Sequence, residues 1–182
     1  MVKENTELMA EARESLSGNW GLAIATFLVY GIIISIFQVI PTVGPVLVLF
    51  IAGPMLVGIS MFSLSLSRGE NARLEQIFEG FKNYGTVLGA YLLMVVLILL
   101  WMLLLIIPGI IAAIAYSQTF YILAEDDAIS SMDALKKSKE MMDGYKWKYF
   151  CLGLRFIGWA LLCILTLGIG FLWLSPYIQI SY

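Results

Sequence analysis

The chain has no histidine and only two cysteines in 182 residues. The first absence removes the commonest metal ligand and the usual general base near neutral pH. Cys151 and Cys163 stand about three helical turns apart on one expected helix, too far apart to bridge and without the neighbouring thiols of a metal site. Both are read as core residues. Glycine-rich phosphate loops and the spacing of a nucleophile elbow are missing too. No catalytic residue, metal site or cofactor is therefore assigned, nothing points to nucleic acid, and the chain is expected not to be an enzyme.

Charge is also scarce. Only 13% of the residues are charged against 60% hydrophobic, with a mean hydropathy of +0.89, well outside the roughly half apolar, quarter charged mixture of soluble domains. The composition is that of an integral membrane protein, and the expected fold class is all-α: a polytopic bundle of membrane helices forming one domain, 1–182.

The few charges fall in three zones, the basic ones at Lys3 and Arg13, at Arg68 to Lys82, and at Lys136 to Arg155. Between and after them the stretches 15–67, 83–124 and 156–182 carry none, whereas one helix crosses the hydrocarbon with about twenty residues. The first two stretches are each long enough for two crossings. Each has a turn signal near its middle, Pro41-Thr42-Val43-Gly44-Pro45 and Pro108-Gly109, where proline withholds an amide and glycine permits a reversal. The alternative, one long helix kinked at Pro108, would be about twice the thickness of a bilayer.

Spans are expected near Trp20 to Ile40, Val46 to Leu66, Thr86 to Ile107, Ile110 to Ala124 and Tyr149 to Leu167. A sixth starts at Phe171 after Gly168-Ile169-Gly170 and is cut short at Tyr182; a five-span arrangement with one helix running on to Ser175 is the alternative. The hairpins put every charge on one face. Because Lys and Arg are retained on the cytoplasmic side, that face and the N-terminus are expected inside the bacterial plasma membrane. The acidic leader and the length of the first apolar segment argue against a cleaved signal peptide.

The charged zones repeat a pattern. "LEQIFEGFKNYG" and "ALKKSKEMMDGYKW" both end in an aromatic just before a span, as Asn19-Trp20 does for the first. Three units result, about 5–67, 70–127 and 129–182, each an amphipathic cytoplasmic helix followed by a hairpin. Registered on Gly109 and Gly170, Tyr116 faces Tyr177, Gln118 faces Gln179 and Tyr121 faces Tyr182, and two periods separate Pro54 from Pro176. Leu74, Ile77, Phe78 and Phe81 follow helical spacing. So do Met132, Leu135, Met142 and Tyr145 if Ser138 or Lys139 fills the intervening turn. Ser130 with Asp133 has the spacing of a capping box. Such helices either lie among lipid headgroups or pack under the bundle as connectors.

Five residues are singled out as functional candidates. Gln118 and Gln179 are amides within spans, where lipid offers no partner, so they should face protein or water. Arg155 lies about two turns into the fifth span and is a functional candidate by default, with snorkelling toward Glu125 or Asp126 as the plainer reading. Glu125 and Asp126 begin the only dense carboxylate cluster, Glu125-Asp126-Asp127, which is read first as a solvated exit from the fourth span that favours the positive end of the next helix. Gly85-Thr86-Val87-Leu88-Gly89 offers a small-residue contact for helix packing.

The blocks "IPGIIAAIAYSQTFYILAED", "DALKKSKEMMDGYKWKYFCLGLRFIGWALL" and "LTLGIGFLWLSPYIQISY", with "EARESLSGNWGLAI" near the start, resemble a bacterial integral membrane family known as domain of unknown function 975. That family's pattern has histidine where this chain has Tyr145 and serine where it has Arg155, which weakens a shared role for either. Its members continue past the position of Tyr182, which implies that the sixth span is truncated here. The resemblance also implies a distant relation to the membrane domain of some glycerophosphodiesterases, which is not their catalytic part. It implies a multi-pass membrane protein and no activity.

Two kinds of function fit these observations. One is a non-enzymatic module, a scaffold or regulator that engages membrane lipids, a protein partner or a second copy through its cytoplasmic face. The other is a small-solute transporter or channel, suggested by the repeated hairpins and by the pairing of Gln118 with Gln179.

Overall fold

A computed structural model describes residues 5–40, 43–165 and 170–181 of the chain. Pro41 and Thr42 of the first turn signal, Gly168 and Ile169 of the last and Tyr182 lie outside the described residues. Within them are nine α-helices, one 3₁₀ helix and no strand. The order is α1 (Asn5–Leu16), α2 (Trp20–Gln38) and α3 (Gly44–Ser67), then the 3₁₀ helix (Leu74–Phe81), α4 (Tyr84–Leu104), α5 (Ile106–Ala115) and α6 (Thr119–Glu125), then α7 (Ser131–Met141), α8 (Lys146–Leu165) and α9 (Phe171–Ser181).

Four stretches are long and apolar enough to cross a membrane: Trp20–Gln38, Gly44–Ser67, Tyr84–Leu104 and Ile106–Glu125. Their surroundings differ. The protein buries 56% of the apolar stretch of α3 but only 11% of those of α2 and α4. Helix α3 is therefore the central post, in contact with α1, α2, the 3₁₀ helix, α4, α6 and α9. The flanks of α4 present Val96, Leu99, Leu100 and Leu103 to the outside. Water does not tolerate a continuous apolar surface of that extent, and lipid does.

Helix α4 runs antiparallel to the α5–α6 stretch. Gly109 of α5 packs against Met102 of α4, and further along the pair Tyr91 meets Phe120 at 6.1 Å between ring centroids. The reversal falls at Leu105, whose backbone is extended. Pro108 thus sits in the first turn of α5 rather than in the loop, where its missing amide costs nothing. Pro45 plays the same part at the start of α3. The Pro108-Gly109 signal was right in kind and displaced by about one turn.

The short helices join the bundle by close contacts. The 3₁₀ helix corrects the sequence reading of an amphipathic α-helix with Leu74, Ile77, Phe78 and Phe81 on its apolar face. With three residues per turn, Leu74, Ile77 and Gly80 share one edge instead; Ile77 and Gly80 are buried, while Phe78 and Phe81 face outward. A Cβ placed on Gly58 would lie 2.0 Å from the Ile77 carbonyl oxygen, and one on Gly80 would lie 2.0 Å from that of Pro54. The two backbones meet without side chains between them.

Helix α7 starts as its capping pattern requires: Ser130 Oγ accepts the Asp133 amide at 3.2 Å and donates to Asp133 Oδ2 at 2.6 Å. Of the expected apolar stripe, Leu135 and Met142 are buried and Ser138 fills the turn between them, but Met132 and Tyr145 are exposed. Ala134 joins Val57, Val87, Ala90, Ile122 and Leu123 in a core that ties α3, α4, α6 and α7 together. Ser131 donates to the Thr86 carbonyl at 2.7 Å beside Gly89, while nothing approaches Gly85. Only the second glycine of the small-residue pair makes a helix contact. Both α1 and α7 are followed by a left-handed glycine, Gly18 at φ 86° and Gly144 at φ 80°, which turns the chain into the next long helix.

Candidate functional site

Between α5 and α6 the fourth apolar stretch is broken. The chain leaves the helix at Tyr116 and re-enters it at Thr119, and the carbonyls exposed by the break find side chains. Ser138 of α7 donates to the Ala115 carbonyl at 2.9 Å, Thr119 Oγ1 to that of Tyr116 at 2.7 Å, and Ser117 Oγ to that of Ile114 at 2.8 Å. Gln118, the last residue of the break, makes no side-chain hydrogen bond among the described residues.

Its amide borders two cavities. One, of about 300 Å³, is lined by Ser63 and Ser67 of α3, Tyr121 and Glu125 of α6, and Gln179 of α9 as well as Gln118. The other, of about 320 Å³, includes Asn5, Lys148, Tyr149 and Ser181. Met141 also contacts both, so the Gln118 and Met141 side chains stand between the chambers. Gln179 is engaged: Tyr121 Oη donates to its backbone carbonyl at 2.8 Å and accepts from its Nε2 at 2.7 Å. Three of the five sequence candidates, Gln118, Gln179 and Glu125, thus meet in one cavity.

Each chamber holds an unpaired buried acceptor or donor. Among the described residues the Ser63 hydroxyl is buried without a partner, and so is Asn5 Oδ1, although Asn5 Nδ2 donates to the Lys148 carbonyl at 3.4 Å. Leaving such a group unmet costs about 1–3 kcal/mol. Ser63 escaped the sequence reading, yet a signal was there. Ser63 and Ser67 stand four residues apart in an apolar helix and share one face.

Arg155 lies elsewhere. It is exposed on α8 and approaches Met9 of α1, its Nη1 3.9 Å from the thioether sulfur. Its side chain meets Met9 rather than Glu125, which pairs with Arg68, or Asp126, which accepts from Ala128. With Arg13 it lines a cleft of about 750 Å³ whose walls include Trp20, Trp159 and Tyr177, and whose one carboxylate among the described residues is Glu14. Both guanidinium groups act electrostatically on the Tyr177 hydroxyl, which itself donates to the Met9 carbonyl at 3.1 Å. Neither arginine has an ion pair among the described residues. Arg13 and the cleft as a whole were not legible in the sequence, since the cleft joins helices more than a hundred residues apart, although Trp159 stands one turn from Arg155 on α8.

Glu125 and Asp126 serve local structure. Glu125 forms an ion pair with Arg68 on the rim of the first chamber, and Asp126 Oδ1 accepts the Ala128 amide at 3.0 Å in the turn that follows. Asn83 Nδ2 binds the Asp127 carbonyl at 3.0 Å. The described residues contain no group of three His, Cys, Asp or Glu side chains able to hold a metal.

A helical chain with four stretches that can cross a bilayer, and with polar groups gathered at a helix break among them, is a membrane protein. It belongs to the family described as "Protein of unknown function (DUF975)", whose model matches residues 1–112 and 101–182. No curated protein and no solved structure matches the chain.

Proposed function

We propose that the chain is a multi-pass protein of the bacterial plasma membrane that works as a non-enzymatic module, holding anionic lipid headgroups at its charged, cytoplasmic face. In this reading the long helices cross as hairpins, α1, the 3₁₀ helix and α7 lie on the inner side, and the N-terminus is cytoplasmic. The observation that supports it is the cleft of Arg13 and Arg155. Two guanidinium groups, without acid partners among the described residues, stand among Trp20, Trp159 and Tyr177. Guanidinium groups recognise phosphate by paired hydrogen bonds, and amphipathic rings favour the headgroup level.

Trp20 and Trp159 are native reporters of what enters the cleft. In vesicles, with Trp101, Trp147 and Trp173 replaced by phenylalanine so that only the cleft pair emits, brominated phosphatidylglycerol should quench tryptophan emission more than brominated phosphatidylcholine does. Near an anionic surface each basic residue contributes about 1 kcal/mol, so an Arg13→Gln, Arg155→Gln double variant should lower the preference about thirtyfold. Equal quenching by the two lipids with both arginines present, or an unchanged preference once they are replaced, would overturn the lipid reading.

A further inference from the structure

The chamber beside the helix break shares no residue with the arginine cleft. Its floor is Ser63, whose hydroxyl is buried and unpartnered, with Ile122; its rim is Ser67 and Glu125, both exposed. Gln118 offers a whole unpaired amide, and Gln179 keeps Oε1 free among the described residues because only its Nε2 is spent on Tyr121. The Gln118 amide and Gln179 Oε1, donor and acceptors, therefore border one volume of about 300 Å³ with the Ser63 hydroxyl enclosed at its floor, at the lower end of the size of small-molecule sites.

The kind of occupant follows from what the walls lack. A buried charge needs a counter-charge, and the only carboxylate on these walls among the described residues, Glu125, is at the rim and already engaged by Arg68. An apolar occupant would leave the Ser63 hydroxyl and the Gln118 amide unmet. A neutral molecule carrying both donors and acceptors satisfies both. The break between α5 and α6 adds to this, because irregular backbone at membrane depth occurs where it lines a cavity or is buried in protein.

We propose that this chamber is a binding site for a small uncharged solute of the polyol or amide class, held by Ser63, Gln118 and the free Oε1 of Gln179 and reached past Ser67 and Glu125. The test uses the full chain with Cys151→Ser and Cys163→Ser, carrying Ser63→Cys and reconstituted in neutral phosphatidylcholine so that anionic lipid plays no part. Alkylation by iodoacetamide is followed by mass spectrometry with glycerol or acetamide as competitor. A competitor at twice its dissociation constant should slow alkylation about threefold, while Lys137→Cys, at an exposed site, reacts at the same rate with or without it. Gln118→Leu should abolish the protection and leave the alkylation. An unreactive thiol in the Ser63→Cys variant, with the protein folded, would mean a closed chamber. A reactive thiol there that neither solute protects would mean a pocket for water alone, and either result would overturn the proposal.

Discussion

The contact between α3 and the 3₁₀ helix gives the sharpest test of the packing. A methyl group added at Gly58 would sit 2.0 Å from the carbonyl oxygen and 2.4 Å from the carbonyl carbon of Ile77. Two effects oppose each other in Gly58→Ala. Alanine favours the helix over glycine by about 1 kcal/mol, whereas overpacking costs about 1–3 kcal/mol. Both neighbouring atoms are backbone, so no rotamer change relieves the clash and the cost falls at or above the top of that range. The net expectation is a loss of about 2 kcal/mol. Gly31 of α2 supplies the control, because nothing lies within 4 Å of a Cβ built there, and Gly31→Ala should be neutral or raise stability by up to about 1 kcal/mol. Thermal unfolding in detergent, followed by circular dichroism, separates the two. Equal or higher stability of Gly58→Ala relative to the native chain would show that the 3₁₀ helix does not dock on α3 through bare backbone.

Two further perturbations probe the chamber and its rim. Tyr121→Phe removes the donor to the Gln179 carbonyl and the acceptor of its Nε2, so stability should fall by about 1–3 kcal/mol; an unchanged melting temperature would place Gln179 elsewhere. The Arg68–Glu125 pair is roughly half exposed, with side-chain accessibilities of 51% and 45%. Solvent screens such pairs, and Arg68→Gln should cost less than about 1 kcal/mol; a larger loss on chemical denaturation would mean that the pair bears on the core behind it.

How much was legible can be traced element by element. The apolar stretches of α2, α3 and α4 were read to within a few residues, because a helix in lipid must satisfy its own backbone and so must be long and apolar. The Ser130 cap was legible because capping is local chemistry between residues three apart. The spacing of Leu74 to Phe81 misled, since the same short apolar run fits a period of 3.6 or of 3.0, and the choice was made by Gly58 and Pro54 on another helix. The break at Tyr116 to Gln118 left little trace, because Tyr, Ser and Gln are ordinary residues in a helix. What permits it is a hydroxyl on α7, twenty-three residues away in sequence.

The site divides in the same way. Gln118 and Gln179 stood out because an amide in an apolar stretch demands a partner, and the chain alone was enough to mark them. Whether they would find partners, water or each other depended on which helices lie beside them. Tertiary packing gave Gln179 to Tyr121, left Gln118 open between two chambers, and set Ser63 unpaired beneath it. Arg155 shows the same limit, because the sequence placed a charge in an apolar helix and only the fold brought Arg13, Trp20 and Tyr177 to it. The sequence by itself determined that this chain is a helical membrane protein with few reactive groups, since burial in lipid is a rule about composition and length. The tertiary structure decided where the polar groups meet, since those meetings depend on contacts between residues far apart along the chain.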